Sequence, residues 1–182
     1  MKQHLLAAAV AAVLSFDASA QVFEEGSKFL HAGLGVGSPY AYSGSKMGVP
    51  PLHASFEMGV TDKIGVGGLI GYTSSTWDQA FFTTNYSWKF SYLIVGARGA
   101  YHFLDHDKID AYGGAMLGYN IASARFESND ADLERLVTEP SVGGLAFGAF
   151  VGGRYMFSDN SGVFAELGYN IAWLSVGYTA KF

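Results

Sequence analysis

The chain ends on an alternation. From Leu174 to Phe182 every second residue is apolar (Leu174, Val176, Tyr178, Ala180, Phe182), and Ser175, Gly177, Thr179 and Lys181 stand between them. A period of two places the apolar set on one face of a β-strand and the small or polar set on the other. The same period recurs in seven earlier segments: 28–37, 52–60, 64–72, 89–103, 110–126, 142–157 and 163–170. Leu30, Ala32, Leu34 and Val36 define the apolar face of the first. Leu52, Ala54, Phe56, Met58 and Val60 define that of the second, opposite His53, Ser55, Glu57 and Gly59. Eight strands, each with one apolar face, fit a closed barrel, either spanning lipid or soluble with its rings filling the core.

The connections favour the membrane-spanning form. Segments 61–63, 104–109 and 158–162 are short and carry turn residues, whereas 38–51, 73–88 and 127–141 are longer and polar. Short turns at one rim and long loops at the other are the pattern of a transmembrane β-barrel. A closed barrel is also the one β structure that spans lipid with every backbone group paired. An even strand number puts both termini at the short-turn rim, which is expected to be periplasmic. The composition agrees: 24 Gly, 11 Tyr and 14 Phe stand beside only four Pro, and 15% of residues are charged. Half of each strand can then face lipid without any long apolar run. A net charge of −5 argues against nucleic acid, and the absence of cysteine rules out disulfides and thiolate metal sites.

Residues 1–20 read as a signal peptide: Lys2 supplies the charge, Leu5 to Leu14 the apolar core, and Ala18-Ser19-Ala20 the cleavage site. The apolar core is shorter than the roughly 20 residues of a spanning helix. The expected domain is therefore residues 21–182.

Over 27–182, the strand pattern and an aromatic-terminated last strand (Val176, Tyr178, Phe182) resemble the bacterial outer-membrane β-barrel domain family, in particular the small OmpA- and OmpX-type barrels. The resemblance implies an all-β fold, an eight-stranded antiparallel up-and-down transmembrane barrel in the outer membrane. It implies that the last strand is the assembly signal read by the barrel-assembly machinery. It further implies contact with outer-membrane lipid and lipopolysaccharide, a monomer, and no cofactor. The implied role is non-enzymatic, in envelope integrity or surface binding through the loops. A narrow pore for water or small ions is the alternative, and a lipid-modifying enzyme a third reading. The peptidoglycan-binding domain of two-domain members is not expected after Phe182.

Four inward charges, Glu57, Arg98, Arg154 and Glu166, form the candidate site. Buried charge is expensive unless paired, so two acids and two bases are expected to satisfy one another inside the barrel. The result is either a structural plug, as the resemblance implies, or a gate. His53, Ser55 and Glu57 share a strand face and suggest a Ser-His-acid arrangement. The late-strand His-x-Ser of deacylase barrels and the N-terminal amphipathic helix of palmitoyltransferase barrels are both missing. Asp105, His106, Asp107 and Asp110 read as a solvated turn rather than a cation site, and His31, His53 and His102 as interior hydrogen-bonding groups. Two aromatic girdles are expected. Tyr101, Phe103, Tyr112, Tyr155, Phe157 and Phe182 belong to the lower, Tyr72, Trp77, Trp88, Phe126 and Trp173 to the upper.

Overall fold

The computed structural model describes residues 21–41, 44–81, 84–104, 106–128, 137–138 and 140–182. The expected signal segment 1–20 lies outside them. Eight antiparallel strands follow one another: β1 (Lys28–Val36), β2 (Lys46–Gly59), β3 (Ile64–Phe81), β4 (Thr84–His102), β5 (Ile109–Ser128), β6 (Ser141–Ser158), β7 (Ser161–Tyr169) and β8 (Leu174–Lys181). Each pairs with the next, and β8 pairs with β1 to close the barrel. From Gly33, stepping across His53, Gly71, Ile94 and Asn120, the ladder arrives at Gly144 on β6. Stepping the other way through Gly177 and Phe164, it arrives at Arg154, ten residues further along that strand. This stagger tilts the strands by roughly 40° and leaves an interior that side chains can fill.

The alternation sorts the faces as expected. Leu34, Ile70, Val95, Leu117, Phe147, Val151, Leu167 and Val176 all point outward and are exposed. So much contiguous apolar surface is foreign to a water-facing barrel. Tyr101, Phe103, Tyr155, Phe157 and Phe182 lie outward toward the end with the termini, hereafter the lower end, and Tyr72 and Trp173 outward toward the other. Phe182 donates its N–H to the Lys28 carbonyl at 3.0 Å, so the last residue is tied to the first strand.

The strands differ in length where a loop was expected. Residues 73–88 are strand, apart from 82–83, which lie outside the described residues, and β2 begins at Lys46 rather than residue 52. Above the apolar band the pattern inverts: on β4 the rings of Trp88 and Phe90 turn inward and Ser87, Lys89 and Ser91 face outward, so an outward apolar stripe no longer marks the strand. One side of the barrel, β3 to β6, therefore stands as a tall wall, and β7, β8 and β1 form a low one.

Candidate functional site

The lower interior is a single polar network. Arg154, on β6, donates from Nε to Asp110 Oδ2 at 2.6 Å and from one terminal nitrogen to Glu57 Oε2 at 2.7 Å. His102, on β4, bridges the same two carboxylates, with Nδ1 2.9 Å from Asp110 and Nε2 3.1 Å from Glu57. An imidazolium can donate from both ring nitrogens, whereas the neutral ring would turn a lone pair toward one carboxylate. One level higher, Arg98 reaches Glu166 with a 2.6 Å bond to Oε1 and a longer one, 3.4 Å, to Oε2. Tyr112 donates its hydroxyl to Glu166 at 2.9 Å, and Ser55 accepts from Arg98 at 3.4 Å. The guanidiniums also lie over rings, Arg98 over Phe150 at 4.0 Å and Arg154 over Phe29 at 3.8 Å. Every charged member is buried.

The expected four charges thus meet, in the pairs Glu57–Arg154 and Glu166–Arg98. One carboxylate was missed: Asp110, assigned to a turn, is fully buried. His102, read as an interior hydrogen-bonding group, is one, and it bridges two carboxylates. Three carboxylates and two guanidiniums leave one negative charge, which a His102 imidazolium would cancel. Tyr112, expected in the lower girdle, points inward because it shares the parity of Asp110 on β5. With Asp110 engaged, the turn does not assemble a cation site from the described residues, and Asp105 lies outside them. His106 pairs instead with Asp107 at 2.9 Å. His53, Ser55 and Glu57 do not form a triad. Ser55 and Glu57 are held by different arginines, and neither ring nitrogen of His53 has a partner among the described residues.

The network is covered from below. Residues Val22 and Phe23 tuck under the barrel, and the Phe23 ring stacks on His102 with centroids 3.4 Å apart and planes at 5°. Val22 donates its N–H to the His106 carbonyl at 3.1 Å. The strap can lie this close because Gly59 has no Cβ, which would collide with the Glu24 carbonyl.

The upper interior is filled differently. The connection between β7 and β8 turns inward instead of outward, burying Ile171 and Ala172 among Leu69, Tyr92, Ile94, Met116 and Ala146. A Cβ on Gly71 would strike Ile171, and one on Gly35 would strike Ala172, so these glycines vacate the space the stopper fills. Asn170 Oδ1 caps the turn by accepting from the Ile171 and Ala172 N–H groups. Tyr40 closes over Tyr92 at 5.2 Å, and burial raises its phenol above the ordinary value.

Above the stopper, the inner face of the tall wall is aromatic. Trp77 is directly opposite Trp88, and Trp88 directly opposite Phe126. Trp88 lies 5.1 Å from Phe126 and 6.3 Å from Phe90. Trp77, Trp88 and Phe126, expected in the upper outward girdle, share the inward parity of Gly71, Ile94 and Asn120. They face the vestibule, not the apolar band. The signal was present in Tyr86, Trp88, Phe90 and Tyr92, which alternate with Ser87, Lys89 and Ser91.

The fold is that of the small outer-membrane barrels. The outer membrane protein OprG of Pseudomonas aeruginosa superimposes with a TM-score of 0.57 at 14% identity, covering 88% of this chain and 97% of that one. The N-terminal β-barrel domain of Pseudomonas aeruginosa OprF gives a TM-score of 0.54 at 14% identity, over 87% and 98% of the two chains. The E. coli outer membrane protein W gives 0.51 at 18% identity, over 87% and 99%. No family model matches the sequence, and no curated protein matches it.

Proposed function

We propose that this chain is an outer-membrane barrel sealed against conduction, whose task is to hold an aromatic-walled vestibule at the cell surface for binding. The observation that carries the reading is the double filling of the lumen, ionic below and apolar above. It weighs against the alternative of a pore for water or small ions. Placement in the outer membrane rests on the apolar outer band, which lipid would cover, and on the barrel's closure. In this reading residues 1–20 direct export and are removed. Val176, Tyr178 and Phe182, all outward and exposed on or beside β8, present the strand to the barrel-assembly machinery. The mature protein works as a monomer without a cofactor.

Trp77, Trp88 and Phe90, backed by the buried Phe126, offer flat faces suited to sugar rings or apolar side chains. The purified protein in planar bilayers is expected to show no unitary conductance steps; regular steps would return the pore reading. Tryptophan emission, titrated against soluble oligosaccharides and peptides, reads the vestibule. A shift lost in Trp77→Ala/Trp88→Ala supports binding there, and a shift retained in that variant places binding elsewhere. Cell fractionation tests the location.

A further inference from the structure

The outer face of the tall wall changes chemistry in single steps of two residues. Along β4 and β5 the directly opposed outward pairs are, from below, Val95 with Tyr119, Leu93 with Ile121, Ser91 with Ser123, Lys89 with Arg125, and Ser87 with Glu127. Two residues rise about 7 Å along a strand. The sequence apolar, hydroxyl, cationic is thus crossed in two such steps, about 14 Å along the strand above the apolar band. Ser141, opposite Ser123 on β6, and Tyr72, whose hydroxyl donates to Ser91 at 3.3 Å, widen the hydroxyl row.

The pairing of Lys89 with Arg125 is costly by itself, because like charges directly opposite on adjacent strands repel. Glu127 relieves Lys89 at 3.4 Å. Arg125 has no ion pair among the described residues. We propose that Lys89 and Arg125, underlain by the hydroxyls of Ser91 and Ser123, seat the phosphate of a lipid headgroup in the outer leaflet. An anion between the two cations turns their repulsion into shared attraction, and the hydroxyls below add donors at the height where a phosphate on an embedded lipid stands. The occupant is a lipid rather than a soluble anion because the seat adjoins the apolar band: acyl chains lying against Leu93, Ile121 and Tyr119 would deliver the phosphate to it. The site lies on the opposite face of the wall from the vestibule and does not depend on what the vestibule binds.

The test is native mass spectrometry of the purified full chain with a phosphorylated lipid A, and with the same lipid stripped of phosphate. Arg125→Gln is expected to lower retention of the phosphorylated lipid about fivefold. Lys89→Gln should lower it less, because Glu127 already shares that charge, and Glu127→Gln should raise it. Arg125→Lys is expected to keep most of the binding, which separates loss of charge from loss of fold. Lys46→Gln is the control, since Lys46 stands on β2 in its own pair with Asp78 at 2.9 Å. Retention that is indifferent to Arg125→Gln, or that falls equally with Lys46→Gln, overturns the proposal. So does full displacement of the lipid by 10-fold excess inorganic phosphate (roughly ten equivalents per lipid), which would make this a free-anion site, or equal retention of the dephosphorylated lipid.

Discussion

The two halves of the lumen solve one packing problem with opposite materials. Below, the strands themselves carry the filling: Glu57, Arg98, His102, Asp110, Arg154 and Glu166 project from five different strands and lock them together. Above, the strands withdraw to glycine at Gly35 and Gly71, and a connecting segment inserts Ile171 and Ala172. Filling carried by strands cannot leave without taking the wall apart. Filling carried by a connection can be altered with the wall intact. The lower half is therefore the structural seal and the upper half the adjustable one.

The largest effect should come from the lower half. Glu57→Gln leaves Arg154 without one of its two carboxylates and should cost about 3–5 kcal/mol, read as a lower urea midpoint in lipid vesicles. A cost below that of an upper-lumen variant would break the comparison. A double-mutant cycle sharpens it. Glu57→Gln with Arg154→Met should show strong coupling, and Glu57→Gln with Arg98→Met a weaker one, because Arg98 bonds Glu166 and Ser55 rather than Glu57. Equal coupling to both arginines would mean that the two levels of the network act as one.

Ile171→Ala comes next, at about 2 kcal/mol, since the segment bearing it can settle into part of the space. The same variant in a planar bilayer should stay silent, because the ionic level remains closed beneath it. Conductance in Ile171→Ala would assign the whole seal to the upper half. The smallest effect belongs to Ser55→Ala, at about 1 kcal/mol or less. Its bond to Arg98 is long, and Arg98 keeps both Glu166 oxygens.

Parity made the fold legible. Wherever the outer face is an apolar stripe and the inner face lines the lumen, as in Leu93 to Tyr101 or Leu145 to Phe157, alternation named both the strand and its orientation. It failed where that contrast inverted. The upper parts of β3 and β4 looked like loop, and Trp77, Trp88 and Phe126 were assigned outward because an aromatic in a barrel suggests a girdle. The charge network was half legible. Glu57, Arg98, Arg154 and Glu166 stood out in long apolar contexts, but Asp110 sat beside Asp105, His106 and Asp107 and read as part of their turn. Only its parity with Tyr112 could have turned it inward. The stopper left no trace of its own. Ile171 and Ala172 are two apolar residues in a short connection, and nothing local says that the connection folds into the barrel.

The uneven wall also bears on how the chain assembles. β3 and β4 pair from Ile64 opposite Tyr101 to Phe81 opposite Thr84, and β5 continues that surface. These ladders join neighbours in sequence, so they close at small entropic cost and can propagate from their own hairpins. The seam is the reverse case, with Phe29 opposite Lys181 and only short strands to hold it. Assembly that begins at the central hairpins and finishes at the β1–β8 seam follows from this distribution. Phe182, bonded to Lys28, is then the residue at which the nascent sheet becomes a ring.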